Sequence, residues 1–232
     1  MKIYFSGGPG LKSEDYVRLM SPRRILFSFL ERKRKVYQGL ALFKEVVLDS
    51  GAYSVATGKA KVDLFEYADY CHRVKDKVAW YANLDVIGDY GAGMKNLRKL
   101  ESVGLRPMPV FHSGEPWGLL RDLQDEYPLI GLGFELGLKL AEKLSWLEYI
   151  FHPPERSGLK PAHRFHGFKM TARRILKRFP FYSVDSSTWI LGAKNGWVPT
   201  DTGQSNQFNY LSRLKKCELW LEFFDSLTDG TA

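Results

Sequence analysis

An α/β barrel of eight parallel strands in a single domain is expected, for three reasons. Short apolar runs alternate with helix-compatible segments along most of the chain, an order that implies parallel strands joined by crossovers. Three of those runs close on an aspartate: Asp49 after Glu45-Val-Val-Leu, Asp85 after Trp80-Tyr-Ala-Asn-Leu, and Asp185 after Phe181-Tyr-Ser-Val. A barrel of this class keeps its chemistry at the carboxyl ends of its strands. The 232 residues fall just short of the ~250 typical of the class, so one domain over 1–232 is the economical count.

Taken in order, eight runs read as strands: residues 2–6, 24–29, 45–48, 78–84, 107–111, 129–134, 165–169 and 181–184. Each is short and apolar, as a strand buried on both faces must be. Helices are expected over 64–74, 94–103, 115–127, 138–149 and 171–179, where apolar positions recur at three- and four-residue spacing among charges. Pro180 closes the last of them.

A hydrophobic content of 44% supplies a full core without staples, and no run approaches the ~18 continuous apolar residues of a membrane span. The opening Met1-Lys-Ile-Tyr-Phe-Ser lacks the long apolar centre of a signal peptide. Cys71 and Cys217 are too few and too far apart in sequence for a metal cluster or a disulfide framework, so a reducing cytoplasm is the expected compartment. Neither a metal nor another cofactor is expected. The histidines show no His-Glu-x-x-His pattern and have no partnering cysteine, although His152, His163 and His166 invite a metal-ligand reading.

Net charge is +8, and the excess is clustered. Arg23, Arg24, Arg32, Lys33, Arg34 and Lys35 form one basic group; Arg156, Lys160, Arg164, Lys169, Arg173, Arg174, Lys177 and Arg178 form another that leads toward Asp185. Such clusters attract phosphate backbones by releasing counterions. A nucleic acid is therefore the expected partner, against the plainer alternative that basic runs are ordinary solvated faces. Strand-end aspartates have a plain alternative too, since they cap following helices and turns.

Asp49-Ser-Gly-Ala-Tyr53 resembles the Asp-Ser-Gly-Gly-Tyr/Phe motif of the tRNA-guanine transglycosylases, barrel enzymes that exchange guanine for a 7-deazaguanine base. Order supports the resemblance. In that family the motif ends the third strand, a base-recognising Asp ends the fourth, a Gly-rich segment ends the sixth and a nucleophilic Asp ends the eighth. Asp49, Asp85, Gly131-Leu-Gly-Phe-Glu-Leu-Gly137 and Asp185 fall at those places. The departures are informative: the Cys-rich zinc site of the tRNA enzymes has no counterpart, since Cys217 stands alone and no His follows His166. The shorter chain and Tyr182-Ser-Val-Asp-Ser-Ser-Thr-Trp189 are more similar to the DpdA-type relatives of phages and bacteria, which place 7-deazaguanines in DNA.

The resemblance implies roles. Asp185 is the nucleophile at C1′, Asp49 the acid/base, and Asp85 the acceptor for guanine N1–H and N2–H, within a double displacement that retains configuration. Tyr53 stacks on the base, with Ser50 and Gly51 completing the motif. His112 stands where the family usually has a Gln that touches the base. Gly131, Leu132 and Gly133 let backbone amides approach a flat heterocycle. Arg32, Lys33, Arg34, Lys169, Arg173, Arg174 and Lys177 hold phosphates, joined by His163 and His166. Trp189 and Trp197 either stack on bases or pack the rim. DNA is the preferred polymer and a 7-deazaguanine the incoming base. The rivals are the same exchange on tRNA, a non-catalytic nucleic-acid-binding barrel, and an unrelated barrel hydrolase.

Overall fold

The computed structural model describes residues 1–8, 10–135, 137–200, 203–208 and 210–229. Seven parallel strands, β1 (Lys2–Ser6), β2 (Arg24–Ser28), β3 (Glu45–Asp49), β4 (Val110–His112), β5 (Ile130–Gly133), β6 (Phe165–Gly167) and β7 (Ser183–Ser186), form one curled sheet. Their order is β3-β2-β1-β7-β6-β5-β4. Crossovers carry α1 (Ser13–Met20), α2 (Ala52–Ala56), α3 (Leu64–Val74), α4 (Tyr90–Ser102), α5 (Trp117–Glu126), α6 (Leu140–Phe151) and α7 (Arg173–Arg178). After β7 come α8 (Thr188–Lys194), a short antiparallel pair β8 (Val198–Thr200) and β9 (Gly203–Ser205), and α9 (Arg213–Asp229).

Side-chain alternation along each strand builds two cores. Ile3, Phe5, Ile25, Phe27, Val46 and Leu48 point outward and pack with the helices. Tyr4, Leu26 and Val47 point inward and form a separate interior cluster with Trp80 and Phe168 packed against it. Below that layer, Glu45 receives Lys2 Nζ at 2.9 Å and the Tyr4 hydroxyl, with Arg24 Nε at 3.6 Å. Above it, strand register sets Ser28 beside Asp49, and Asp185 pairs in register with Tyr4 of the apolar layer. The interior thus stacks an ion-paired floor, an apolar middle and a carboxylate-bearing top, like the filled layers of a (β/α) barrel.

The sheet is not a closed eight-stranded barrel. The strand expected over 78–84 is reduced to two isolated parallel bridges, Leu48 to Tyr81 and Ala82 to Met108. Its backbone does bond on both sides, Ala82 N–H to Leu48 O at 2.9 Å and Met108 N–H to Tyr81 O at 2.8 Å. Beyond that the chain is captured by α4: Asn83 Nδ2 donates to Gly93 O at 3.0 Å and Asn96 Nδ2 to Leu84 O at 2.8 Å. Pro107 and Pro109, which have no N–H to give, confine β4 to three residues, later than expected. β7 begins two residues later than the expected run, so Asp185 lies inside the strand rather than after it.

Helix α3 coincides with its expected span, and Asp63 caps it by accepting from the N–H groups of Phe65 and Glu66. Four helices were not expected: α1, α2, α8 and α9. The last buries Cys217, Trp220, Leu221 and Phe224. Trp220 Nε1 donates to Trp197 O at 2.9 Å, and the Phe224 ring lies 5.9 Å from that of Phe5.

Candidate active site

A cavity of about 530 Å³ opens at the carboxyl end of the strands, and Asp49, Asp85 and Asp185 all line it. Such a volume lies within the ~300–1,000 Å³ of small-ligand pockets. Asp185 is only 3% exposed and is held on both oxygens. Oδ1 accepts from the backbone N–H of Lys169 at 2.8 Å, and Oδ2 from the Ser6 hydroxyl at 3.3 Å. The first bond depends on an unusual backbone. Lys169 has φ 54°, the only positive φ outside glycine among the described residues. An L residue pays roughly 1–2 kcal/mol for that conformation, and here it turns an N–H onto the carboxylate. Ser6 is fixed in turn by Trp189, whose Nε1 donates to Ser6 O at 2.8 Å. Trp189 is fully buried, which decides its two alternatives in favour of packing.

Asp49 ends β3, and its Oδ2 accepts from the Gly51 N–H at 3.0 Å. Gly51 has φ 89°, and a Cβ there would meet Leu30 Cδ1 at 3.0 Å, so the turn that delivers this N–H requires glycine. Burial pushes the Asp49 carboxyl up to about 7, and the charges of Asp185 and Asp85 push the same way. The Gly51 bond and the Lys169 charge oppose the rise. Ser50 is fully buried and does not line the cavity.

Asp85 lies three residues beyond the Ala82 bridge and meets His112 at the end of β4, Nε2 to Oδ2 at 2.6 Å. Burial pulls the His112 imidazole down, but the bond to Asp85 and the charges of Asp85, Glu115 and Glu135 leave it raised. His112 therefore holds Asp85 rather than standing alone at the cavity wall. Its ring closes against Gly133, where a Cβ would come within 2.4 Å of Nδ1. Gly131 is overlain by Phe168, 2.7 Å from a would-be Cβ, and the side chain of Leu132 is in the outer core. Of the Gly-rich segment, Gly133, Phe134, Glu135 and Gly137 line the cavity; Leu136 lies outside the described residues.

At the rim, Tyr53 is 43% exposed, and the Lys169 ammonium sits 3.2 Å from its ring centroid. Residues not singled out in the sequence also face the cavity: Ser6, Ser28, Glu31, Glu135, Lys143 and Phe168. The acidic ones were hidden because nothing local marks a Glu as facing inward.

The basic residues divide. Arg32 pairs with Glu66 at 3.1 Å and covers the Phe29 ring at 3.8 Å. Arg34 bonds Glu31 at 3.4 Å and Gly8 O at 3.3 Å. Lys33, Arg174 and Lys177 are exposed, as is Arg173. Helix α7, which carries the last three, begins shortly after Lys169 has cleared β6. The expected phosphate contact of His166 is corrected: the residue is 0% exposed and lies inside the sheet. His152 pairs with Glu148 at 3.2 Å. Among the described residues no group of three or more His, Cys, Asp or Glu is arranged to hold a metal ion, and no helix is long and apolar enough to cross a membrane. Cys71 and Cys217 are free and buried. No protein-family model and no curated protein matches the chain.

Proposed function

We propose that the chain exchanges guanine in a nucleic acid, preferably DNA, for a 7-deazaguanine base through a covalent bond between Asp185 and C1′ of the sugar. The observation that carries this reading is the convergence on one cavity of three carboxylates with three different settings. Asp185 is oriented by donors on both oxygens, Asp49 has its carboxyl pushed up to about 7, and Asp85 is backed by His112. The resemblance at 49–53 and the order of the aspartates along the chain support the same assignment. In this reading the curled sheet is a (β/α)8-type barrel whose fourth strand is shortened to the bridges at Tyr81 and Ala82, without a zinc subdomain.

In the first displacement Asp185 Oδ2 attacks C1′, and the bond from C1′ to N9 breaks with its electron pair going to the purine. Asp49 gives that purine a proton. In the second, Asp49 takes the proton from N9–H of the incoming base, whose nitrogen attacks C1′ and frees the Asp185 carboxylate. Two inversions give retention. A carboxyl that titrates near neutrality suits both duties. Asp85 accepts from N1–H and N2–H of the base, and its hydrogen bond to His112 fixes the plane in which it does so. Because a stacked nucleotide hides C1′, the guanine must leave the helix or come from unpaired strand. The exposed cations of α7 would supply the charge that neutralises the phosphate backbone.

The test is mass spectrometry of nucleosides after incubating the protein with a 7-deazaguanine and either DNA or tRNA. Label in DNA nucleosides supports the reading. Label in tRNA alone reverses the polymer, and label in neither removes the exchange.

A further inference from the structure

Beneath Asp185 lies a histidine that the exchange described above leaves unused. His166 is 0% exposed, and the register of β6 and β7 sets it beside Ser183, two residues before Asp185 and on the same face. Its Nδ1 is 2.9 Å from Ser183 Oγ. Its Nε2 has no hydrogen-bond partner among the described residues and lies 3.7 Å from Asp185 Oδ1. Aromatic rings fix the imidazole in place, Phe168 at 4.6 Å, Trp80 at 4.7 Å and Tyr4 at 6.0 Å between centroids. The carboxylate that acts on it is that of Asp185.

The tautomer follows from these neighbours. With the hydrogen on Nδ1, the lone pair of Nε2 would face an anionic oxygen across an apolar chamber. With the Ser183 hydroxyl donating to Nδ1, the hydrogen sits on Nε2 and faces Asp185. Burial lowers the imidazole pKa, against the pull of the nearby Asp185 carboxylate, so the ring stays neutral. A separation of 3.7 Å is too long for a hydrogen bond, and catalytic bonds commonly tighten only when substrate is bound.

Resting on the proposed exchange, we propose that His166 is a positioning residue for Asp185: its Nε2–H donates to Oδ1, leaving Oδ2 to bond C1′. In the glycosyl ester Oδ1 is the carbonyl oxygen. When the bond from C1′ to Oδ2 breaks in the second displacement, its electron pair returns to the carboxylate, and a donor on Oδ1 stabilises the charge that arrives there. Loss of that donor slows the second displacement more than the first, so the covalent intermediate accumulates.

The experiment compares wild type with His166→Phe, His166→Gln and Ser183→Ala in exchange assays and on denaturing gels that retain the protein–nucleic acid adduct. His166→Phe should lower kcat by ~10–100-fold, below the ~10²–10³ for a donor aimed at a developing oxyanion. Because the second displacement is the one slowed, KM for the nucleic acid should fall with kcat, leaving kcat/KM for it within about twofold, while the adduct builds up. His166→Gln, whose amide can donate to the same oxygen, should recover most of the rate, and Ser183→Ala should fall between. A loss in His166→Phe without adduct, unrelieved by Gln, would make the residue mere packing and overturn the proposal. A measurement independent of turnover is ¹⁵N NMR of histidine-labelled protein. The proposal requires a neutral Nε2–H tautomer at His166 whose Nε2 shift moves in Asp185→Asn; an Nδ1–H tautomer, or no response, refutes it. Failure of wild type to exchange any base would remove the proposed function, whereas the NMR result would still decide whether His166 addresses Asp185.

Discussion

Replacing Asp49 with asparagine should stabilise the protein, and only above a particular pH. In the folded chain the Asp49 carboxyl is pushed from 3.8 up to about 7, chiefly by burial and then by the charges of Asp185 and Asp85. The unfolded chain has neither influence. Between the two values the native state binds the proton that the unfolded state has lost, so stability falls as pH rises from about 4 to about 7 and is flat above. A rise of about three pKa units corresponds to ~4 kcal/mol at 1.36 kcal/mol per unit. Asparagine carries no charge to desolvate and can still accept from the Gly51 N–H, although its amide NH₂ is a polar group that needs a partner in the same place. The expected gain for Asp49→Asn is therefore about 2–4 kcal/mol at pH 8 and near zero at pH 4, read by urea unfolding with the slope checked for constancy. The gain should come with loss of exchange activity, as when a destabilised catalytic group is removed. An equal effect at both pH values, or a loss of stability at pH 8, would refute the picture of a carboxyl held against its ionisation.

Three further outcomes follow from the geometry. Gly133→Ala places a Cβ 2.4 Å from His112 Nδ1, so the imidazole must move off Asp85; thermal unfolding should report a cost of ~1–3 kcal/mol, and the KM for the incoming base should rise with it. Lys169→Gly removes the cost of φ 54° while keeping the N–H on Asp185. It should leave stability level or raise it by up to ~1 kcal/mol, whereas Lys169→Pro, which lacks that N–H, should abolish exchange. Charge removal at Arg174 and Lys177 should weaken binding of all sequences alike, reducing the log–log salt slope by ~0.9 for each duplex phosphate no longer neutralised; an unchanged slope would show that α7 faces away from the polymer.

Much of the scaffold was legible because a strand buried on both faces has little choice of residue. Runs such as Ile25-Leu-Phe27 and Val46-Val-Leu48 are apolar at every position, and all become strands. The same logic failed at 78–84, where the local pattern is that of a strand but Asn83 and Leu84 bond to α4, through partners that lie 10 and 12 residues away. Helix α9 left a readable trace, since Cys217, Trp220, Leu221 and Phe224 recur at helical spacing. The three carboxylates stood out because charge at the end of an apolar run is costly without a use.

What holds those carboxylates was not legible. The partner of Asp85 is 27 residues away in sequence, and Ser6 reaches Asp185 from 179 residues away. Lys169 carries no sign of its left-handed backbone, which glycine or asparagine would have advertised. The setting of the cluster at 32–34 was hidden for a related reason: its charge is plain in the sequence, but the carboxylates that engage Arg32 and Arg34 are visible only once Glu66 and Glu31 are brought beside them.

A covalent adduct on Asp185 is the defining intermediate of the proposed exchange. The protein is incubated with a guanine-containing oligonucleotide, quenched in acid during turnover, digested and subjected to mass spectrometry. A peptide containing Asp185 esterified to the abasic sugar is expected, absent from Asp185→Asn and discharged when a 7-deazaguanine is added. Base exchange with no adduct, or an adduct on Asp49 or Asp85 in place of Asp185, would contradict it.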